Sequence, residues 1–179
     1  MQIRLPSTAA ISMTFFGMLV LGCTQRAAPP GGTMPEKIAV QVIDENDLAR
    51  AIAQRKGKVV LVDFWATWCI PCTELFPHTV QLHRSLADKG LDVISVSLDD
   101  PDNKPAVLRF LVSKGAQFEN FISRYGISPK SMQAFEIPGG SLPHLRLYNR
   151  RGALYRSLSA DSFRPADIDR AVHELLLAP

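Results

Sequence analysis

The first regular pattern of apolar and polar residues begins near Ile38. The segment "IAVQVI" alternates as a half-buried strand does, while "KVVLVDFW" and "LDVISVSL" are continuous apolar runs, typical of strands covered on both faces. After the first strand, apolar residues recur at helical spacing, which predicts a helix with Asp44 as its N-cap and Gly57 at its end. A second helix is predicted from about Cys72 to Lys89. The order β-α-β-α-β, with connections long enough for parallel pairing, predicts an α/β domain.

The second half of the domain has a different pattern. "NKPAVLRFLVSKG" predicts a helix, "QFENFI" a short strand, and Ser128 followed by Pro129 the start of a further helix. "HLRLYN" and "ALYRSLS", joined around Gly152, predict a β-hairpin. The apolar stripe of "PADIDRAVHELLL" predicts a closing helix. A hairpin added to parallel strands gives a central mixed sheet flanked by helices.

Residues 1–22 have the pattern of an export signal. Arg4 supplies a positive start, and the uncharged run from Ala10 to Gly22 is short for a spanning helix, which needs about 20 apolar residues. The run ends in "LVLGC", which resembles the lipobox of bacterial lipoproteins and implies a lipid on Cys23, the new N-terminus. An ordinary signal peptide cut nearby and an uncleaved anchor are the alternatives.

The remainder of the chain is predicted to be a tether and one domain. Residues 23–37 are rich in proline, glycine and small residues without apolar periodicity, which predicts a flexible tether ahead of a domain over residues 38–179. Twenty Lys and Arg stand against 17 Asp and Glu, a net charge of +3. The densest basic stretch, which includes Arg146, has the pattern of a solvated hairpin. Nucleic-acid binding needs a concentrated basic face and is not expected.

Two of the three cysteines, Cys69 and Cys72, stand two residues apart in "VDFWATWCIPC", directly after the second strand. Disulfide exchange requires a thiolate, and the N–H groups and dipole at a helix N-terminus favour that anion. We expect Cys69 to lie exposed just before the helix and to attack. Cys72, more buried in the first turn, would resolve the mixed disulfide. Pro71 restricts the loop, and two intervening residues let the sulfurs reach bonding distance.

Asp63 interrupts the apolar run of the second strand. A carboxylate inside a covered strand loses hydration, so it tends to stay protonated. Such a group can exchange a proton near neutral pH, and Cys72 must lose a proton to act as the resolving thiolate. We therefore expect Asp63 to accept that proton. The alternative is a place at the strand edge, where a backbone amide or Lys58 would satisfy an ionised carboxylate.

Metal chemistry at the cysteine pair is less favoured. A structural zinc site needs four ligands, but the chain has no second CxxC and no HxxxH spacing among its histidines. These histidines are His78, His83, His144 and His173. Sco-like copper chaperones carry CxxxC, one residue longer than the motif here, and the Thr-x-x-Cys of peroxiredoxins is absent. A metal-binding or copper-chaperone module remains the lesser alternative, and no metal or other cofactor is expected.

The segment "VDFWATWCIPC" resembles the active-site segment of thioredoxins, and Pro77 matches the proline inside their active-site helix. "SLPHLRLYNRRG" resembles their cis-proline segment, which implies a cis peptide bond before Pro143 and brings the Leu142 backbone beside the first cysteine. Residues 99–137 stand where TlpA/ResA-like thiol-disulfide oxidoreductases carry an insertion. The resemblance implies a thioredoxin-like fold with that insertion.

The same resemblance implies a function. It suggests an extracytoplasmic enzyme, lipid-anchored on the periplasmic side of a bacterial membrane, that reduces protein disulfides through a dithiol couple. A membrane thiol protein would supply electrons, and disulfide oxidase or isomerase activity is the alternative. A substrate strand would pair with the backbone at Leu142 and contact Trp68 and Pro71.

Overall fold

The computed structural model describes residue 2, residues 37–160 and residues 162–178. The predicted signal peptide apart from Gln2, the lipidation site Cys23 and the tether up to residue 36 lie outside the described residues. The remaining described residues form one α/β unit. Within the described part of the chain, no helix is both long and apolar enough to cross a membrane.

The centre of the domain is one six-stranded mixed sheet with the order β1-β4-β3-β2-β5-β6. Strands β1, β4, β3 and β2 are parallel, and β5 is antiparallel to both of its neighbours. The predicted mixed sheet is therefore confirmed. The strands are β1 (Gln41–Ile43), β2 (Val59–Trp65), β3 (Leu91–Ser97), β4 (Glu119–Ser123), β5 (His144–Tyr148) and β6 (Leu154–Ser159).

Five α-helices connect or follow these strands, and local capping accounts for where several of them begin. Asp44 caps the first helix by accepting the N–H groups of Asn46 and Asp47, as the sequence predicts. The helices are α1 (Glu45–Ala53), α2 (Ile70–Leu86), α3 (Lys104–Lys114), α4 (Pro129–Ala134) and α5 (Pro165–Leu177). A 3₁₀ turn, Ala87–Lys89, extends α2.

Helix α2 begins two residues earlier than predicted. Cys69 is its N-cap and Pro71 lies in its first turn. Proline is tolerated there because a backbone N–H in the first turn has no acceptor within the helix. Both cysteines are therefore fixed to the N-terminus of this helix. Pro77 lies inside the helix, at the position that the thioredoxin resemblance implies.

Strand β2 is buried along its whole length, and its alternation sends side chains into two cores. On one face, Val62 and Phe64 pack with Leu48 of α1. On the other face, the β2 residue Leu61 packs with Leu82 of α2. Because successive side chains alternate, Asp63 and Trp65 also point toward α2.

The predicted insertion adds a strand to the sheet. Its α3 packs on the same side as α2, and its β4 pairs with both β3 and β1, confirming the short strand. One expectation nearby is wrong. Arg146 is not solvated: it is 9% exposed, donates to the Phe135 carbonyl at 3.2 Å and pairs with Glu136 at 2.6 Å. The insertion supplies those acceptors, which local sequence does not reveal.

Candidate redox site

Cys69 and Cys72 form a disulfide at the start of α2, with an S–S distance of 2.07 Å and a Cα–Cα distance of 5.2 Å. The Cys72 N–H donates to the Cys69 sulfur at 3.3 Å. Cys69 is 7% exposed and Cys72 is 1% exposed. Cys69 is the more accessible of the two, but the expectation of an openly exposed Cys69 is wrong, because both side chains belong to one apolar cluster.

Asp63 lies in the middle of β2, opposite Ser95 on β3 and Leu145 on β5, and is 1% exposed. Its Oδ2 accepts a hydrogen bond from the Thr79 hydroxyl of α2 at 2.7 Å. Its Oδ1 is buried and has no hydrogen-bond partner among the described residues. The strand-edge alternative is wrong, because Lys58 instead approaches Asp92 at 3.4 Å.

Burial controls the protonation of this carboxyl group. It raises the pKa of Asp63 from an ordinary 3.8 to about 6, while the Thr79 hydroxyl lowers that pKa by hydrogen bonding to the charged form. A group with this pKa changes protonation close to neutral pH. The site therefore combines a disulfide at a helix N-terminus with a titratable group on the face of β2 that α2 covers.

The two tryptophans of the motif lie in different surroundings. Trp65 is fully buried, with ring centroids 4.7 Å from Phe76 of α2 and 4.6 Å from Phe110 of α3. It shares an apolar cluster with both cysteines. Trp68 is 54% exposed and Ile70 is 70% exposed, on either side of Cys69. Trp68 and Ile70 thus form an exposed apolar border on either side of Cys69 in the chain.

The second half of the site comes from the segment before β5. The Leu142–Pro143 peptide bond is cis, as the resemblance implies. Pro143 is buried, and half-buried Leu142 packs against the cluster that contains both cysteines. Pro71 is exposed in the first turn of α2. The structure thus brings Leu142 to the cysteines from a distant part of the sequence.

Two contributors to the site are not singled out by the motif. Thr79 lies seven residues after Cys72, so its place on the same face of α2 could be read from helical spacing. Phe110 belongs to the insertion, and only tertiary packing brings it to Trp65. Local sequence carries no signal for that second contact.

The histidines do not converge on the cysteine pair. His78 lies 2.9 Å from Asp169, and buried His144 lies 3.0 Å from the Ser159 hydroxyl. His173 contacts the Asp169 carbonyl oxygen. Among the residues that the structure describes, no three His, Cys, Asp or Glu side chains form a cluster that could hold a metal ion.

The fold and the disulfide at the head of α2 define a thioredoxin-like protein. A model of the AhpC/TSA family matches residues 33–145, so the chain belongs to that family. A solved structure described as a putative thiol:disulfide interchange protein DsbE from Chlorobium tepidum is similar, with a TM-score of 0.59 and 27% identity. That match covers 70% of this chain and 84% of the other.

Curated relatives named thiol-disulfide oxidoreductase ResA are also similar. The protein from Bacillus thuringiensis (strain Al Hakam) is 33% identical over 81 residues, 41% of this chain and 46% of that protein. The Geobacillus kaustophilus protein is 25% identical over 149 residues, 83% of this chain and 79% of that protein. The match to the first of these spans about half of the relative's length.

Proposed function

We propose that the protein is a thiol-disulfide oxidoreductase that reduces protein disulfides through Cys69 and Cys72. The observation that carries the proposal is the disulfide at the N-terminus of α2, with Cys69 as cap and Cys72 beneath it. The names of the similar ResA and DsbE proteins support the same chemistry.

The reducing cycle needs two exchanges. In the reduced enzyme, the Cys69 thiolate attacks one sulfur of a substrate disulfide, forming a mixed disulfide and releasing the other substrate sulfur as a thiolate. The Cys72 thiol then loses its proton and attacks the Cys69 sulfur. The Cys69–Cys72 disulfide forms, and the second substrate thiolate leaves. Two electrons pass to the substrate, and an external dithiol must restore them.

The helix N-terminus favours attack by Cys69. The first turn of α2 consists of uncharged residues, and the Cys72 N–H already points at the Cys69 sulfur. Backbone N–H groups and the helix dipole stabilise a thiolate at this position. The smaller exposure of Cys72 suits a group that reacts only with its neighbour.

Asp63 is proposed as the proton acceptor for Cys72. The carboxyl group lies on the face of β2 covered by α2, and its raised pKa of about 6 lets it accept a proton near neutral pH. Its Oδ1 makes no hydrogen bond within the described residues, which leaves an acceptor free. Proton uptake by Asp63 would accompany formation of the resolving thiolate.

Substrate binding is proposed at the apolar border of Cys69. Trp68, directly before Cys69 in the chain, has an exposed side chain, and Pro71 is exposed in the first turn of α2. The backbone at Leu142, held before cis-Pro143, would pair with an extended substrate segment. This arrangement suits unfolded or extended polypeptides that contain a disulfide.

We also propose that the protein works outside the cytoplasm, anchored through a lipid on Cys23 by the tether of residues 23–37. A reductase in an oxidising compartment requires a continuing source of electrons. A membrane thiol protein is the proposed donor, and the lipid would hold the catalytic domain near it.

The direction of electron flow is tested by equilibrating the protein with a series of glutathione redox buffers. A reductase is expected to have a reduction potential below about −220 mV, closer to thioredoxin than to strong oxidants. Mass spectrometry after acid quenching and alkylation gives the reduced fraction. A potential near about −120 mV would instead support disulfide oxidation.

A further inference from the structure

Asp99, immediately beyond β3, is a buried carboxylate that the proposed exchange chemistry does not use. It is 1% exposed. Its Oδ2 accepts hydrogen bonds from the Thr67 backbone N–H at 2.9 Å and the Ser97 hydroxyl at 2.6 Å, and its Oδ1 accepts one from the Thr67 hydroxyl at 2.5 Å. Both carboxylate oxygens are therefore occupied by donors.

These bonds hold the turn that leads into the redox motif. Thr67 stands two residues before Cys69, and the Cys69 N–H donates to the Ala66 carbonyl at 3.2 Å, closing the turn. The Leu98 N–H donates to the Trp65 carbonyl at 2.8 Å, just before the turn begins. The end of β3 thus fixes the path of the chain between β2 and the N-cap of α2.

The loop after β4 packs against the backbone at Asp99. Gly126, in the loop after β4, has a φ of +54° and packs on the backbone at Asp99 and Asp100. A Cβ on Gly126 would lie 3.4 Å from the Asp100 Cα and 3.8 Å from the Asp99 carbonyl oxygen. The carboxylate is therefore bound to the turn before Cys69, while the backbone at Asp99 and Asp100 packs against the loop after β4.

We propose that Asp99 is a positioning residue, which acts through Thr67 to keep the Cys69 sulfur aligned with the N–H groups of α2. The inference rests on the proposed attack by Cys69. The thiolate gains stability only while its sulfur faces those donors, as it faces the Cys72 N–H at 3.3 Å. A loosened turn lets the sulfur move away from them, so the thiol ionises less readily and reacts more slowly.

A pair of substitutions at Thr67 separates the hydrogen bond from other effects. Thr67→Val keeps the size of the side chain and the backbone N–H but removes the hydroxyl donor to Asp99. Thr67→Ser keeps that donor. Both variants retain Asp99, so a change in reactivity seen in Thr67→Val but not in Thr67→Ser reports the loss of the hydroxyl contact.

The measurement is the rate of Cys69 alkylation by iodoacetamide in the fully reduced protein, followed from pH 5 to 9 by peptide mass spectrometry. Thr67→Val is expected to react about 3- to 10-fold more slowly at neutral pH, the range that loss of one hydrogen bond produces, with the midpoint of its pH profile shifted upward. Thr67→Ser should stay within about twofold of the wild type. The proposal would be overturned if Thr67→Val and the wild type were alkylated at equal rates, or if Thr67→Val and Thr67→Ser were slowed equally.

Asp99→Asn provides a second test in case Thr67→Val impairs folding. Asparagine keeps one acceptor oxygen for the Thr67 N–H, and the Thr67 hydroxyl can turn to accept from the amide. Positioning predicts that Asp99→Asn reacts at least as fast as the wild type, whereas Asp99→Leu, with no acceptor, reacts more slowly. Acceleration in both variants would show an effect of charge alone and contradict positioning. Wild-type protein alkylated first at Cys72 would instead contradict the proposed function itself.

Discussion

Asp63 brings a carboxyl group into a strand that is buried along its whole length. Only the Thr79 hydroxyl compensates for the lost hydration, and Oδ1 has no partner in the described part of the chain. The protonated form is therefore favoured in the folded state. The proposed transfer of a proton from Cys72 gives a functional reason for a carboxyl group at this position.

Asp63→Asn tests the burial of this acid through the pH dependence of stability. The folded-state pKa of about 6 lies above the ordinary 3.8, so wild-type stability falls as pH rises between these values and is level above them. That rise in pKa corresponds to about 3 kcal/mol. The oxidised variant should therefore gain stability relative to wild type from about pH 4 to 6 and be the more stable protein at pH 7 and above.

Denaturant unfolding of both oxidised proteins at several pH values gives this difference. Asp63 would be an ionised structural residue if the difference in unfolding free energy between Asp63→Asn and the wild type stayed constant with pH. The same would follow if the variant were less stable than the wild type at pH 7. In the reduced proteins, single-turnover exchange should show slower resolution of the mixed disulfide in the variant, with the first attack by Cys69 changed less.

At the scale of elements, the site is the meeting point of α2, β2, the cis-proline segment and the insertion. The sequence correctly predicts that β2 leads into a helix with the cysteine pair at its N-terminus, because apolar periodicity and capping are local signals. The Arg146 contact to Phe135 could not be predicted, because its acceptor lies in an irregular segment that local patterns do not place. The same holds for Phe110 against Trp65.

Arg146→Leu tests how the insertion is attached to β5. The substitution removes the hydrogen bond to the Phe135 carbonyl and the ion pair with Glu136, so we expect a loss of about 1–3 kcal/mol in the free energy of unfolding. Hydrogen exchange should become faster in residues 135–142 before it changes in α5. Arg151→Leu, at an exposed position in the same hairpin, is the matched control and should change stability by less than about 0.5 kcal/mol. Equal effects of the two substitutions would refute the proposed attachment.

For the whole molecule, the sequence was sufficient to predict a mixed sheet and the thioredoxin-like arrangement of the cysteine motif. It was not sufficient to predict the exposure of Cys69, because the covering side chains come from several elements. The order of the strands also depends on the insertion, whose β4 separates β1 from β3. These features depend on contacts between residues far apart in the chain.

Cys23→Ser tests the anchor proposed for the whole protein. Without the sulfur, the lipid cannot be attached. When both proteins are expressed in a bacterial host, we expect the wild type in the membrane fraction and the full-length variant outside it. Intact-mass analysis of wild type should find an acylated N-terminal Cys23. A mature wild-type protein with a different, unmodified N-terminus would refute lipidation.

The central claim is that Cys69 attacks and Cys72 resolves, and trapping of mixed disulfides tests it most directly. Reduced Cys72→Ser and Cys69→Ser proteins are mixed with insulin, alkylated, and analysed by non-reducing electrophoresis and mass spectrometry. The account predicts abundant adducts joined through Cys69 in Cys72→Ser, because no second thiol can release them, and few adducts in Cys69→Ser, because Cys72 is 1% exposed. Equal trapping by the two variants, or adducts joined mainly through Cys72, would contradict it.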